Sequence, residues 1–292
     1  MSVDSLQEKI RKMKNPSVVD MTASADRIPP HLLQMYPSWL EAYEVFSKNL
    51  LDALRDIVPA VRFQFSNFSL YGPEGLALLQ TLLREAKEKG YYVFLDCVQI
   101  LSPQMAQQAA DLLFSEDSPW TFDGLIIPTY IGSDGVKPFA KKLAGTKKSL
   151  YGVIRTGNKS AAELQDLLTG NRLSHAAAAD LVNRLGEPMP GRSGYFQFAA
   201  VTGASSADSI RTLRSKYSRL FLLLDGYDYP NANAKNCSYA FDRFGYGAAA
   251  CANDSIIAAW LYAESDGSEY CLHAVEAAER MKKNICKYIT IL

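Results

Sequence analysis

Five aspartates stand at or just after the ends of short apolar segments, and they are the side chains best placed to do chemistry. They are Asp20, Asp96, Asp225, Asp228 and Asp254. Carboxylates grouped in this way can act as general acids and bases, bind a cationic group or hold Mg²⁺ or Ca²⁺. Because no compact spacing of metal ligands links them, solvated loop carboxylates are the simpler interpretation, and no metal site is predicted.

An ion pair is predicted between Arg62 and Asp96. Side chains alternate between the two faces of a strand, so Arg62 shares a face with Gln64, and Asp96 shares one with Val98. If the two segments are neighbouring strands, the guanidinium and the carboxylate meet in the interior. The sequence leaves open whether such a pair is purely structural or belongs to a site.

Cys97 follows Asp96 directly and is a candidate nucleophile. A catalytic thiol needs a base, and none of His31, His175 and His273 is expected near the end of a strand. A buried, unreactive thiol is therefore the favoured interpretation of Cys97.

The positions of these side chains depend on eight short apolar segments that alternate with helical patterns. The segments are Ser17–Met21, Ala60–Ser66, Tyr91–Cys97, Phe122–Pro128, Ser149–Thr156, Tyr195–Thr202, Arg219–Gly226 and Tyr246–Ala252. Most are rich in Val, Ile, Leu, Phe and Tyr, which is typical of parallel strands buried on both faces. The helical patterns are Ser38–Ile57, Gly75–Lys89, Gln104–Phe114, Val136–Leu143, Ala161–Leu168, Ser206–Lys216, Ser255–Ala263 and roughly Tyr270–Ile289.

This alternation predicts an α/β fold, a single (β/α)8 TIM barrel domain over residues 1–292; an open doubly wound sheet is the alternative. In either architecture, ligands bind at the carboxyl ends of the strands. Barrels often bind phosphate through the loops after strands seven and eight. Here those loops carry Asp225, Asp228 and Asp254, which repel a phosphate. The simplest interpretation of Asn253 is that it caps the helix that follows it.

Composition limits the partners. The 292 residues include 31 Lys and Arg against 31 Asp and Glu, and this zero net charge argues against binding nucleic acid. Five cysteines without paired spacing indicate reduced thiols and a cytoplasmic protein. The charged first residues do not form a signal peptide, and the longest apolar stretch, around Ile256–Ala263, is too short to span a membrane.

Short motifs follow one another in a characteristic order. They are Val18-Val19, Asp26-Arg27-Ile28-Pro29, Leu70-Tyr71-Gly72-Pro73-Glu74-Gly75, Glu85-Ala86-Lys87-Glu88-Lys89-Gly90, Tyr130-Ile131-Gly132-Ser133-Asp134-Gly135, Arg155-Thr156-Gly157-Asn158, Glu163-Leu164-Gln165-Asp166, Gly203-Ala204 and Gly226-Tyr227. Their order and spacing resemble the orotidine 5'-phosphate decarboxylases of the longer bacterial type over nearly the whole chain. The resemblance implies a (β/α)8 barrel, usually a homodimer, that converts orotidine 5'-phosphate to uridine 5'-phosphate (UMP) without a cofactor.

The catalytic motif of that family is only partly present. The resemblance implies a lysine on strand two and Asp-x-Lys-x-x-Asp at the end of strand three, whose lysine protonates the carbanion and whose last aspartate enters the partner's site. Here Arg62 replaces the first lysine, Asp96 is retained, Val98 replaces the proton donor and Leu101 the last aspartate. Arginine keeps the charge but is a poor proton donor.

The binding positions have changed as well. The resemblance places substrate-binding positions at Thr22, Thr156, Gly157, Gly226 and Asp254. Thr22 stands where the family has an aspartate, Gly157 where it has a serine and Asp254 where it has the phosphate-binding arginine. Asp228-Tyr229-Pro230 replaces a phosphate loop that contains Gly and Gln.

Three hypotheses follow from these departures. The first is a decarboxylase-like protein that has lost activity but binds a small molecule, such as a nucleotide, as a homodimer or paired with an active paralogue. The second is a divergent but active decarboxylase. The third is a barrel enzyme of another class that uses its acidic mouth for a cationic or metal-bound substrate.

Overall fold

The eight predicted apolar segments form a closed barrel of parallel strands in the computed structural model, which describes residues 2–292. The strands are β1 (Ser17–Asp20), β2 (Ala60–Gln64), β3 (Tyr92–Asp96), β4 (Gly124–Pro128), β5 (Ser149–Arg155), β6 (Phe198–Gly203), β7 (Leu222–Asp225) and β8 (Ala248–Ala252). Strand β8 pairs with β1 at Cys251 and Val18, which closes the barrel. The prediction of a (β/α)8 TIM barrel is confirmed, and the open sheet is excluded.

The helices surround this barrel. They are α1 (Ser2–Met13), α2 (Pro30–Met35), α3 (Trp39–Leu54), α4 (Phe65–Ser69), α5 (Gly72–Glu88), α6 (Pro103–Leu113), α7 (Ser133–Leu143), α8 (Ser174–Gly186), α9 (Ala207–Lys216), α10 (Ala234–Ser238), α11 (Asp254–Ile257), α12 (Ala259–Tyr262) and α13 (Tyr270–Cys286). One large apolar cluster lies between the helices and the outer faces of the strands.

A second apolar cluster fills the barrel itself. Large side chains such as Tyr92, Tyr151 and Phe221 lie there beside small ones such as Ala199 and Ala249. Helix α1 closes the amino-terminal end, which we call the floor, through Val3, Leu6 and Ile10, all fully buried. The interior is therefore a packed core, and the open end is the opposite one, at the carboxyl ends of the strands, which we call the mouth.

The helix predicted over Ala161–Leu168 is wrong. A short 3-10 helix occupies Lys159–Glu163, a two-stranded hairpin pairs Leu168–Thr169 with Arg172–Leu173, and the helix between β5 and β6 is α8. The side chains of Gln165 and Asp166 bind Thr156 and Arg155, and these tertiary contacts override the local apolar pattern.

Other elements differ in detail from the sequence-based expectation. Helix α1 was not predicted, and the segment predicted as one helix over Ser255–Ala263 is divided into α11 and α12. Between residues 2 and 292, we find no helix with the length and apolar character needed to cross a membrane.

Candidate functional site at the barrel mouth

Arg62 lies at the centre of the mouth, enclosed by three carboxylates. Strand β2 pairs with both β1 and β3, so Arg62 is in register with Asp20 on one side, while Gln64 is in register with Asp96 on the other. The Arg62 guanidinium donates to Asp96 through Nε at 3.0 Å and through Nη2, and to Asp225 through Nη1. Its Nε also lies 3.7 Å from an oxygen of Asp20.

Burial and charge act against each other in this cluster. Arg62 is only 7% exposed, and burial opposes its charge, but Asp225, Asp96 and Asp20 outweigh burial and raise the pKa of Arg62. Burial raises the pKa of Asp96 as well, although Arg62 opposes this shift. The guanidinium is thus held permanently protonated and cannot give up a proton during a reaction.

A cavity of about 400 Å³ opens above this cluster on the side of β1, β7 and β8. Its charged and polar lining comprises Asp20, Thr22, Arg62, Gln64, Asp225, Asp228, Asn253 and Asp254, with Gly226, Tyr229 and Tyr262 at its edges. Four carboxylates therefore face one guanidinium in this larger cavity. Such a lining favours ligands that donate hydrogen bonds or carry positive charge.

The wall of the larger cavity is held by hydrogen bonds around Asp20. One carboxylate oxygen accepts from the Thr22 backbone N–H at 2.9 Å, and the other accepts from Gln64 Nε2 at 2.6 Å. Asn253 Nδ2 donates at 2.8 Å to the carbonyl oxygens of both Asp20 and Thr22. Asn253 occupies the N-cap position of α11, as predicted, but its side chain makes no capping hydrogen bond. It instead ties the end of β8 to the end of β1.

A smaller cavity of about 190 Å³ lies on the other side of Arg62, towards β4, β5 and β6. It has apolar walls of Val98, Pro128, Val153 and Val201, with polar groups from Tyr130, Arg155, Thr156 and Gln165. The position that the resemblance assigns to the proton donor is therefore an apolar wall at Val98. Leu101 lies outside this cavity with 65% of its surface exposed.

The end of β5 is fixed by a network that sequence reasoning only partly anticipated. Arg155 donates to both oxygens of Asp166, at 2.9 and 2.8 Å. Gln165 accepts from the Thr156 backbone N–H at 2.7 Å. His175 Nδ1 lies 3.0 Å from Asp166, so the expectation that no histidine approaches a strand end is wrong. The chain returns to β5 only after the hairpin, which no local pattern reveals.

Tyr229 packs directly onto the glycines at the ends of β5 and β7. A Cβ atom on Gly226 would lie 2.2 Å from the Tyr229 ring, and one on Gly157 would lie 2.5 Å from it. Gly226 also has φ +73°, a conformation that favours glycine. The glycines thus make room for an aromatic ring where the resemblance places the substrate's phosphate loop and a pyrimidine contact.

The rim of the larger cavity is acidic, but part of this charge is paired. Asp254 accepts from Arg27 Nε at 2.8 Å. Asp228 accepts from the Asn253 backbone N–H, and burial raises its pKa although a hydrogen bond from Ser255 opposes the shift. Of the residues expected at the site, Arg62, Thr22, Gly226 and Asp254 line the larger cavity and Thr156 lines the smaller one. Gly157 lines a third cavity at the mouth, of about 500 Å³, together with Lys159, and Asp96 lies beside Arg62.

Cys97 is separate from this site. Its side chain lies in the apolar layer between the barrel and the helices, and burial raises the pKa of its thiol. Among residues 2–292, no three or more His, Cys, Asp and Glu side chains are arranged to hold a metal ion.

Comparison with known proteins relates this barrel to one group of enzymes. The chain is 25% identical over 280 residues to an orotidine 5'-phosphate decarboxylase of Caldicellulosiruptor saccharolyticus, covering 90% of this chain and 92% of that protein. It is 25% identical over 288 residues to the Clostridium acetobutylicum decarboxylase, covering 98% and 99% of the two chains. The chain is similar to orotidine 5'-phosphate decarboxylases over nearly its whole length. This confirms the resemblance seen in the motifs; no protein-family model matches the chain.

Solved structures support the fold at lower sequence identity. The orotidine 5'-monophosphate decarboxylase of Plasmodium berghei aligns with a TM-score of 0.77 and 12% identity over 98% of both chains. The Methanocaldococcus jannaschii decarboxylase, solved with the inhibitor BMP, aligns with a TM-score of 0.60 and 12% identity, covering 93% of this chain and 98% of that one. The barrel fold is thus shared with these decarboxylases.

Proposed function

We propose that this protein is a decarboxylase-like barrel that binds a small molecule at its mouth and has lost the decarboxylation of orotidine 5'-phosphate. The observation that carries the proposal is the nature of two side chains at the mouth, Val98 and Arg62. The first is an apolar wall where a proton donor would stand, and the second is bound by three carboxylates.

The chemistry of decarboxylation explains why these two residues matter. Loss of carbon dioxide from the substrate leaves a carbanion, which must take a proton from a nearby acid. Within residues 2–292, no lysine lines the two cavities that adjoin Arg62. The cations there are Arg62 and Arg155, and arginine does not release its proton at neutral pH. Lys159 lines a separate cavity at the mouth, beside Gly157 and Tyr229. Preorganised charge is usually the largest catalytic contribution, and here it is directed at Arg62 rather than at a substrate.

The proposal also includes a change of ligand at the acidic rim. A phosphate placed about 4 Å from one carboxylate meets a repulsion of about 4 kcal/mol per charge pair near a protein surface. Asp228 and Asp254 supply two such carboxylates, and Tyr229 fills space over Gly226. A nucleoside, whose hydroxyls donate to carboxylates, suits this rim better than a nucleotide.

A decarboxylation assay tests the loss of activity. The protein and the Clostridium acetobutylicum relative are each incubated with orotidine 5'-phosphate, and the fall in substrate absorbance is followed. We expect turnover from the relative and none above background from this protein. Turnover within about tenfold of the relative would overturn the proposal and support a divergent but active decarboxylase that makes UMP.

Calorimetry with uridine and UMP tests the change of ligand. We expect wild-type protein to bind uridine more tightly than UMP. Asp254→Asn removes a carboxylate and frees Arg27, so it should strengthen UMP binding about tenfold or more. Asp56→Asn is the matched control, because this carboxylate is 87% exposed and precedes β2 at the floor end of the barrel. Tighter binding of UMP by the wild type would contradict this part of the proposal.

The four carboxylates of the larger cavity also favour a second candidate, a barrel enzyme of another class acting on a cationic or metal-bound substrate. A thermal-shift screen with polyamines, amino sugars, Mg²⁺ and Ca²⁺ tests it. Saturable stabilisation that Asp20→Asn and Asp225→Asn abolish would favour this candidate. If no compound or divalent ion stabilises the protein, this candidate is wrong.

We further propose a cytoplasmic homodimer. Exposed apolar side chains follow three neighbouring strands at the mouth, namely Leu70 after β2, Leu101 after β3 and Tyr130 after β4. A second copy that covers them would remove apolar surface from water. All five cysteines are free thiols, which suits a reducing compartment. Pairing with an active paralogue through the same surface is the alternative assembly.

A further inference from the structure

A further cavity lies at the floor of the barrel, at the opposite end from the mouth. It has a volume of about 340 Å³ and is bounded by α1, by the loop before β6 and by the segment before β8. Gln7, Glu8 and Arg11 of α1 line it together with Arg192 and Ser193 of the loop. The floor of such a barrel usually serves stability, so a polar cavity here calls for an explanation.

Two buried glutamine amides, one lining this cavity and one beside it, have N–H groups without acceptors. Gln7 is 5% exposed, and its Oε1 accepts from the Gly247 backbone N–H at 3.0 Å. Gln197 is 4% exposed, and its Oε1 accepts from the Val3 backbone N–H at 3.1 Å. These two bonds fix the orientation of both amides. The Nε2 atoms of Gln7 and Gln197 are left buried with no partner among the described residues.

The two amides lie close to the same loop, residues 191–193. A Cβ atom on Gly191 would lie 2.5 Å from Gln197 Nε2 and 2.7 Å from Asp4 Oδ1, so the Gln197 amide reaches the loop that lines the cavity. Asp4 Oδ1 in turn accepts from the Ser193 backbone N–H at 2.8 Å. Buried polar groups are normally paired, and the Gln7 amide, which lines the cavity, has no acceptor among the described residues.

The charges around the cavity favour an anion as that acceptor. Arg11 is exposed and forms no ion pair with any described residue, and Arg192 reaches Glu8 only at 3.8 Å. Arginine forks bind carboxylate and phosphate oxygens with paired hydrogen bonds. Asp4 and Glu8 are the opposing carboxylates, but Asp4 Oδ1 is taken by Ser193, and Glu8 is exposed enough to turn away.

We propose that the floor cavity is a binding site for a small oxyanion, a phosphate or a carboxylate, held by Arg11, Arg192 and the Gln7 amide. The bound anion joins α1 to the loop before β6 and so stabilises the closed floor of the barrel. The site is independent of the mouth and of any activity there.

Titration with inorganic phosphate and, separately, with malonate tests this site on the whole protein. Each anion is added at constant ionic strength with chloride as the replaced ion, and binding is followed by calorimetry and by the melting temperature. We expect saturable binding of at least one anion, and the two titrations decide between phosphate and carboxylate. In a ¹⁵N-resolved spectrum, the side-chain amide signals of Gln7 and Gln197 should shift during the titration.

Variants on the exposed side of the cavity localise the binding. Arg11→Gln and Arg192→Gln should each weaken it about tenfold, whereas Lys12→Gln, on the same helix but outside the cavity, should leave it unchanged. Gln7→Glu keeps the acceptor for Gly247 and replaces the free donor, so it should abolish binding. The proposal fails if neither anion binds saturably up to tens of millimolar, or if Lys12→Gln weakens binding as much as Arg11→Gln does.

Discussion

At the scale of single residues, the mouth is organised by one guanidinium that three carboxylates share. Arg62 neutralises part of the charge of Asp96, Asp225 and Asp20, and two of these carboxylates are almost fully buried. Such a cluster tolerates the loss of its cation poorly, because each buried carboxylate then lacks a counter-charge.

Arg62→Met tests the role of this guanidinium in stability. We expect a loss of about 3–5 kcal/mol in the free energy of unfolding at pH 7, measured by urea denaturation. The loss should shrink towards pH 5, because carboxylates deprived of Arg62 take up protons more readily. Arg280→Met, on the exposed face of α13, is the control and should change little. An equal loss at both pH values would contradict the electrostatic explanation.

Lys148 provides a pH-dependent prediction. Its ammonium lies 3.5 Å from the centre of the Phe122 ring, and burial lowers its pKa to about 8, although Asp123 opposes the shift. The folded protein therefore binds this proton less tightly than the unfolded chain, whose lysine has a pKa of 10.5. The charge on Lys148 thus destabilises the fold below pH 8, and this penalty fades as the pH rises towards 10.5.

Lys148→Met should accordingly be more stable than the wild type at pH 7, and the difference should disappear at high pH. Urea denaturation from pH 7 to 10 measures this difference. Lys147→Met removes the same charge from an exposed position and should show no such trend. A constant difference across this range would show that packing, not protonation, is responsible.

At the scale of elements, the loop after β7 is shaped by contact between Tyr229 and two glycines. Gly226→Ala should destabilise the protein by more than the roughly 1–3 kcal/mol expected for a left-handed alanine, because its Cβ would also collide with the ring. Gly145→Ala is a matched control, since Gly145 has φ +82° and open space around it. Thermal unfolding of both variants separates the cost of the collision from the cost of the backbone conformation. Equal losses of stability in Gly226→Ala and Gly145→Ala would show that the Tyr229 ring moves aside freely.

Helix α1 is the second element whose role can be measured. Leu6 is fully buried in the apolar cluster inside the barrel, so Leu6→Ala should cost about 2–5 kcal/mol. Lys12→Ala, exposed on the same helix, should change the free energy of unfolding by less than about 0.5 kcal/mol. If Leu6→Ala has an equally small effect, the floor is not closed by α1 in solution.

At the scale of the whole molecule, the proposed homodimer predicts a particle of twice the mass of one chain. Light scattering after gel filtration measures this mass. Leu101→Arg should convert the dimer to a monomer, because it places a charge in the apolar surface at the mouth. Leu292→Arg, at an exposed apolar position near the floor, is the control. A wild-type monomer at micromolar concentration would contradict the homodimer.

Much of the fold could be predicted because its signals are local. Strands buried on both faces appear as apolar segments, and their alternation with helices predicts a barrel before any contact is known. The pair of Arg62 and Asp96 was predictable because β2 and β3 are neighbours. Helix α8 was misplaced because the hydrogen bonds of Gln165 and Asp166 to the end of β5 join residues that sequence patterns treat as separate.

The sequence by itself determined the barrel and the resemblance to orotidine 5'-phosphate decarboxylases, since residue identity and order are enough for these. Tertiary structure alone decided that Asp225, 163 positions from Arg62, shares its guanidinium. It also decided that Tyr229 lies over Gly157 and that the floor holds unpaired amides. Closure of the barrel brings distant strands to one axis, and the energy of a buried charge depends on every neighbour it meets there.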